Sequence, residues 1–252
     1  MKAMIFAAGL GTRLKPLTDT RPKALVEIEG KPLLEYVAGK IIGSGIVDGL
    51  VVNVHSFSEM LREWIESRDW ALPVQISDEA ERLLDTGGAV LRALPLLKGC
   101  GTLLLHNVDI LSNADLREFA SLAAQKGKSA SLMVSDRKSS RSFLFEPDTF
   151  TLAGWRNNNT GEEIIVREDI KRDRLVSRAF TGIHIISEEF FPLFCEYRNY
   201  VNNEVFGIRD FYLWAAYRCP IYGIDMEGVE ILDVGKPEAV NSASAFVRKY
   251  SI

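Results

Sequence analysis

Residues 2–25 read Lys2-Ala3-Met4-Ile5-Phe6-Ala7-Ala8-Gly9-Leu10-Gly11-Thr12-Arg13-Leu14-Lys15-Pro16-Leu17-Thr18-Asp19-Thr20-Arg21-Pro22-Lys23-Ala24-Leu25. The apolar run over 3–8 has the length of a buried strand, and it stops at two glycines spaced by one residue. Gly9 and Gly11 let the backbone turn sharply and present N–H groups to an anion at the strand end. Arg13 adds a bidentate cation beside that turn, and Lys23, ten residues on, supplies a second. A lone G-x-G is also what an ordinary glycine turn with solvated cations looks like. The strand before it, and Thr12-Arg13 and Pro22-Lys23 after it, favour the anion. No Gly-Lys-Ser/Thr follows, so this is not a Walker A loop, and the third glycine of a dinucleotide fingerprint is missing.

Outward from this loop, apolar runs alternate with amphipathic stretches at 33–42, 50–54, 60–65, 73–76, 89–97, 102–105, 116–124 and 130–134. Strand, helix, strand alternation predicts a parallel sheet with right-handed crossovers, and ligands beyond the carboxyl ends of the strands. After Ser135 the pattern changes. Runs at 141–145 and 150–155, separated by Glu146-Pro147-Asp148, predict an antiparallel hairpin. The polar stretch 156–174 reads as loop with a short strand at 164–166. Beyond it come a strand at 180–186, helices at 187–197 and 208–217, strands at 221–225 and 229–232, and a closing helix at 237–249. The expected fold is α/β and Rossmann-like: a mixed, mostly parallel sheet flanked by helices, with a small antiparallel extension. No repeat or linker divides it, so a single domain over 1–252 is expected.

A chain of 252 residues with 47% hydrophobic content can bury a sizeable core. The net charge of −4 argues against a protein that grips nucleic acid by neutralising phosphates, so anionic ligands need a local cluster of cations. Cys100, Cys195 and Cys219 form no CxxC pair, which indicates neither a zinc site nor a disulfide framework and fits a reducing, cytoplasmic compartment. The apolar run at 4–10 is too short to span a membrane and lacks the order of a signal peptide, so no membrane partner is expected.

Two aspartates stand where a hard cation could sit. Asp109 follows the apolar strand that ends at His106, and Asp233 ends the strand at 229–232; either could also be a turn or cap residue, and spacing does not decide. Asp85-Thr86-Gly87-Gly88-Ala89 precedes a helical stretch. Thr86 is placed as a helix N-cap, and two glycines in a first turn, each costing about 1 kcal/mol of helix propensity, imply that something needs the backbone there. His55, His106 and His184 show no metal-ligand spacing and read as structural residues. Arg137, Lys138 and Arg141 read as a solvated hairpin edge, while Arg156 beside Asn157–Asn159 could reach a ligand.

Together, Ala7 to Thr18, Arg21-Pro22-Lys23-Ala24-Leu25, Asp85-Thr86-Gly87-Gly88-Ala89, Asn107-Val108-Asp109, Thr181-Gly182-Ile183, Ile208-Arg209-Asp210 and Asp233-Val234-Gly235-Lys236-Pro237-Glu238 closely resemble the signature of the sugar-1-phosphate nucleotidyltransferases. The likeness runs nearly end to end over a catalytic domain of the nucleotide-diphospho-sugar transferase type, without the C-terminal β-helix that some members carry. It implies a nucleotide-binding half at 1–135 and a sugar-binding half at 136–252. It further implies that Ala8, Gly9, Gly11, Thr12 and Arg13 hold a nucleoside triphosphate, with Asp85, Gly87 and Gly88 at the base. Arg13 and Lys23 would be catalytic, the first steadying pyrophosphate. Asp109 and Asp233 would hold Mg²⁺, and Gly182 and Asp210 would line the sugar pocket.

The chain departs from the family pattern twice. Val108 stands where glycine usually precedes the first metal aspartate, and Glu146-Pro147 lacks the lysine of a Glu-Lys-Pro motif that meets the sugar phosphate in many members. Short members acting on N-acetylmuramate 1-phosphate or mannose 1-phosphate are the most similar in layout, which implies a role in cell-envelope polysaccharide. The partners implied are a nucleoside triphosphate and a sugar 1-phosphate; a homo-oligomer is left open. Two alternatives stand beside this reading. A phosphocholine cytidylyltransferase would need an acidic, aromatic pocket, for which Trp155, Trp214 and Glu162-Glu163 are the candidates. A non-catalytic nucleotide-sugar sensor would be expected to lose a loop cation or a metal aspartate.

Overall fold

The computed structural model describes residues 1–167 and 169–252. Strand β1 (Lys2–Phe6) leads through the glycine loop and a small ribbon, β2 (Glu27–Ile28) and β3 (Lys31–Pro32), into helix α1 (Leu33–Gly43). Then β4 (Gly49–Val54), α2 (Ser58–Glu66), β5 (Val74–Asp78), α3 (Asp85–Leu97) and β6 (Thr102–Asn107) continue the alternation. A short strand β7 (Ile110–Ser112) precedes α4 (Leu116–Gln125), whose N-terminus is capped by Asp115 accepting the N–H groups of Arg117 and Glu118. The second half comprises β8 (Ala130–Ser135), β9 (Arg141–Phe145), β10 (Leu152–Asn157), β11 (Glu163–Ile165) and the long β12 (Val176–Ser187). It closes with α5 (Phe191–Val201), α6 (Ile208–Ala215), β13 (Ile221–Asp225), β14 (Ile231–Asp233) and α7 (Pro237–Tyr250).

Strands β5, β4, β1 and β6 lie side by side in parallel, with Met4 level with Val51 on one side and Leu105 on the other. β12 then enters antiparallel, pairing with β6 and β8, and β13 runs parallel to β8 at the far side. The first residues of β12 pair instead with β9, which carries β10 and β11 as an antiparallel extension. The parallel strands are covered on both faces, which explains why they read as continuous apolar runs. On one face Ile5, Val52, Leu104 and Ile185 meet α1, α4 and α7 through Val37, Phe119 and Ala243. On the other, Met4, Val51, Leu105 and Ile186 meet α3, α5 and α6, where Phe194 and Phe211 stack at 3.9 Å. No helix among the described residues is long and apolar enough to cross a membrane.

The expected α/β class with an antiparallel extension is the one observed. Differences are local. α3 starts at Asp85 rather than 89, and α5 is preceded by a 3-10 turn at Glu188–Phe190 and runs on to Val201. Phe150 has φ 56° and lies outside β10. β7 and the β2/β3 ribbon have no counterpart in the sequence reading, because two or three residues carry no period.

His106 and His184, on the neighbouring strands β6 and β12, are fully buried, the second sharing a hydrogen bond with the Tyr212 hydroxyl. Burial lowers the His106 imidazole from 6.5 to about 4 and the His184 imidazole from 6.5 to about 3. The unfolded chain therefore binds a proton at each site near pH 6.5 while the folded chain does not, so stability present above that pH is lost as pH falls toward the lowered values. The melting temperature should drop between about pH 7 and about pH 4.5. His184→Gln keeps a polar partner for Tyr212 without titrating and should flatten that drop; an unchanged pH slope would exclude the imidazole as a cause.

Candidate active site

The carboxyl ends of β1, β4, β5 and β6 share one edge of the sheet, and the glycine loop leaves the first of them. Gly11 sits at φ 64°, and its carbonyl accepts from the Leu14 N–H at 2.8 Å and from the Thr18 hydroxyl at 2.7 Å. A Cβ there would lie 2.8 Å from the Thr18 methyl, so conformation and space both demand glycine. The loop thereby folds back on itself and carries Lys23 on a 3-10 turn (Lys23–Leu25). The Lys23 ammonium lies against Gly9, 3.7 Å from where a Cβ would stand, and donates to Asp109 Oδ2 at 2.7 Å. Both side chains are largely buried, at 14% and 10% exposure, so the pair is weakly screened.

Asp109 and Asp233 are brought together by the pairing of β7 with β14. Asp233 stands opposite Ile110, and the Val234 N–H donates to the Asp109 carbonyl at 2.8 Å. A Cβ on Gly235 would lie 2.7 Å from Asp233 Oδ1 and 2.8 Å from Arg13 Nη2, so the Arg13 guanidinium and the second aspartate both border Gly235. Arg13, Lys23, Asp109 and Asp233 thus converge on one place. Val108 occupies its non-glycine position without a positive φ, buried in the core with its N–H on the Phe6 carbonyl at 3.2 Å. Gly182 has φ 84° in the irregular part of β12, and a Cβ would stand 2.7 Å from the Asn107 amide nitrogen, two residues from Asp109.

The 85–88 segment behaves differently from the sequence reading. The N–H groups of Gly87 and Gly88 both donate to the Phe206 carbonyl, at 2.9 and 3.1 Å, and are not free to meet a base. Added Cβ atoms would lie 2.4 Å from the Phe206 ring and 2.2 Å from the Glu204 carbonyl oxygen. What needs the backbone there is the chain itself. Thr86 does not cap its own helix: its hydroxyl accepts the Ile208 N–H at 3.0 Å and so caps α6. Asp85, at φ 60°, keeps its side chain exposed. Its Oδ2 is 3.4 Å, and Asp210 Oδ2 3.7 Å, from the position of a Cβ on Gly207, so a residue read as nucleotide-binding and one read as sugar-binding both lie beside Gly207.

At the other end, Glu146 accepts the N–H groups of Asp148 and Thr149 and closes a turn, offering no cation. Arg137, read from sequence as a solvated edge, is half-buried instead: it donates to the Phe180 carbonyl at 3.2 Å, and its Nε has no partner among the described residues. Only its place just after a buried strand could have signalled this. Arg156 is paired with Glu163. The faces of Trp155 and Trp214 are covered by Arg209, at 4.6 Å, and Arg218, at 3.6 Å, while Arg209 also pairs with Asp210.

Gly88→Ala should cost about 1–3 kcal/mol, because the obstructing atom is backbone and cannot rotate away. Urea unfolding checks this; wild-type stability would mean that the 204–207 segment does not hold the position described.

Comparison with known proteins bears on the family and the fold. The N-acetylmuramate α-1-phosphate uridylyltransferase of Caulobacter vibrioides is 43% identical over 110 residues, covering 42% of this chain and 45% of the relative. The choline-phosphate cytidylyltransferase of Streptococcus pneumoniae is 52% identical over 52 residues, covering 21% of this chain and 23% of that protein. The chain spans about half the length of the first curated relatives that it matches. A UDP-glucose pyrophosphorylase structure with UDP-glucose superposes with a TM-score of 0.74 over 98% of each chain at 18% identity, which shows a shared fold. The nucleotidyl transferase family model matches residues 2–143, more than half of the chain, and the chain belongs to that family.

Proposed function

We propose that the protein transfers a nucleotidyl group from a nucleoside triphosphate to a sugar 1-phosphate. The observation that carries this reading is the convergence of Arg13, Lys23, Asp109 and Asp233 beyond the carboxyl ends of the parallel strands. A phosphate oxygen of the sugar 1-phosphate attacks the α-phosphorus in line, a new P–O bond forms, the bond to the β-phosphate oxygen breaks, and pyrophosphate leaves. The nucleophile is already an anion, so no general base is required and the work is positioning and charge neutralisation. The 8–13 loop would hold the triphosphate with Arg13 on the leaving pyrophosphate and Lys23 at the reacting centre. Asp85 would sit where nucleotide and acceptor meet, with Gly182 and Asp210 lining the acceptor side; Arg137 offers a cation there in place of the missing lysine.

Members of this family generally use a divalent metal, and Mg²⁺ fits the residues present. Asp109, just before β7, and Asp233, at the end of its partner β14, give two hard carboxylates. No group of three or more potential ligands forms among the described residues, so phosphate oxygens would complete the shell, as Mg²⁺ sites commonly arrange. Bound there, Mg²⁺ would neutralise triphosphate charge and align the displacement. We propose a single cytoplasmic domain, acting on an amino-sugar or hexose 1-phosphate of envelope polysaccharide synthesis and needing neither nucleic acid nor membrane. The phosphocholine alternative is disfavoured because both tryptophan faces that could take a quaternary ammonium are covered by arginines.

Removing one member of the Lys23–Asp109 pair would strand a buried charge, so Lys23→Met/Asp109→Asn is the cleaner variant. It should melt near the wild-type temperature and lose about 10²-fold or more in turnover. Near-normal pyrophosphate release would sink the assignment. In a panel of UTP, GTP, CTP and dTTP against N-acetylmuramate, mannose and glucose 1-phosphates and phosphocholine, release should require Mg²⁺ and a sugar 1-phosphate. Silence with every pair would favour a non-catalytic sensor.

A further inference from the structure

After Phe6, β1 leaves the sheet, yet Ala7 and Ala8 remain buried at 2% and 4% exposure, so their N–H groups need partners inside the protein. Asn53, level with Phe6 on β4, provides them: its Oδ1 accepts from Ala7 at 2.7 Å and from Ala8 at 3.3 Å. That use fixes which way the amide faces, and the Asn53 Nδ2 then donates to Glu79 Oε1 at 2.7 Å. The other carboxylate oxygen accepts the Leu84 N–H at 3.1 Å. Glu79 is anchored by its own backbone, its N–H on the Val54 carbonyl at 2.9 Å and its carbonyl in hydrogen bonds with the Arg82 N–H and His55 Nδ1. Asn53 and Glu79 are each 3% exposed. Apolar residues would fill this space without the desolvation cost of a buried amide and carboxyl, so the position is held by what the polar groups connect. They connect the last residues before the glycine loop to the last residue before Asp85.

We propose that Asn53 and Glu79 are positioning residues that set the glycine loop against the 85–88 segment and so fix the nucleotide side of the cleft. The proposal rests on the reading of that loop as the triphosphate site. Neither side chain touches the reacting atoms; they act through Ala7, Ala8 and Leu84. The donor and acceptor pattern makes a sharp test. In Glu79→Gln one of two accepting oxygens becomes a donor facing a donor, and in Asn53→Asp two carboxylates face each other. The swap Asn53→Asp/Glu79→Gln restores every bond: Asp accepts from Ala7 and Ala8 and from the new amide, whose oxygen accepts from Leu84.

Each single variant should raise the KM for the nucleoside triphosphate about tenfold or more while the KM for the sugar 1-phosphate stays within about twofold, and the swap should return the first to within about threefold of wild type. Both KM values rising together, neither changing, or a swap no better than the singles would overturn the proposal. Should the carboxylate pair keep Asn53→Asp from folding, the near-isosteric Glu79→Gln and the swap complete the comparison. If the wild type turns over no pair, the proposed function has failed, and the strut is judged by amide exchange at Ala7 and Ala8. Protection lost in Glu79→Gln and regained in the swap supports it; protection unchanged in Glu79→Gln overturns it.

Discussion

The carbonyl of Phe206 accepts the N–H groups of two consecutive glycines, Gly87 and Gly88, and this crossing fixes where the second half of the chain meets the first. The Phe206 N–H returns a bond to the Leu84 carbonyl, and Thr86 caps the helix that begins two residues later. Four hydrogen bonds therefore tie the start of α3 to the start of α6 across one backbone-to-backbone approach. That approach is closed to any residue with a Cβ at 87 or 88. Because Asp85 precedes one segment of the crossing and Asp210 follows the other, the same bonds bring both carboxylates beside Gly207.

The charged centre depends on a second long-range pairing. β7 and β14 are three residues each, too short to hold together by themselves, and they rest on the α1–α4–α7 core through Ile110, Leu111 and Val234. Their register sets Asp233 beside Asp109, and the loop that folds back through Gly11 and Thr18 brings Lys23 to the same point. A buried ammonium or carboxylate at this point would be costly if unpaired. Here Lys23 and Asp109, the buried two, neutralise one another at 2.7 Å, and Arg13 and Asp233 lie exposed at the rim, which leaves the cluster able to exchange partners with a polyanion without a large change of buried charge.

The remaining buried polar residues divide by what they satisfy. His184 and Tyr212 serve each other inside the aromatic layer, and burial keeps the imidazole neutral. Glu79 is also pushed up by burial, against the hydrogen bonds from Asn53 and Leu84 that favour its charged form. The first pair closes on itself, whereas the second reaches out to backbone at the mouth of the cleft.

Periodicity and turn chemistry made most of the elements legible, down to the antiparallel change after Ser135, because each strand buried on both faces must be apolar throughout and each crossover helix amphipathic. The glycine loop with Arg13 and Lys23 was legible for the same local reason: turn, anion nest and cations are all within one stretch of chain. What the sequence could not place were features whose partner lies far along the chain. Thr86 looked like a cap for its own helix, yet its partner is Ile208. Gly87 and Gly88 looked open to a ligand, yet they face Glu204 and Phe206. Arg137 looked solvated until β12 was laid beside β8. Local sequence thus determined the strands, helices and anion-binding turn, since these depend on neighbours within a few residues. Tertiary structure alone decided which N–H groups are already bonded and which carboxylates meet, since those depend on backbone approaches between segments about a hundred residues apart.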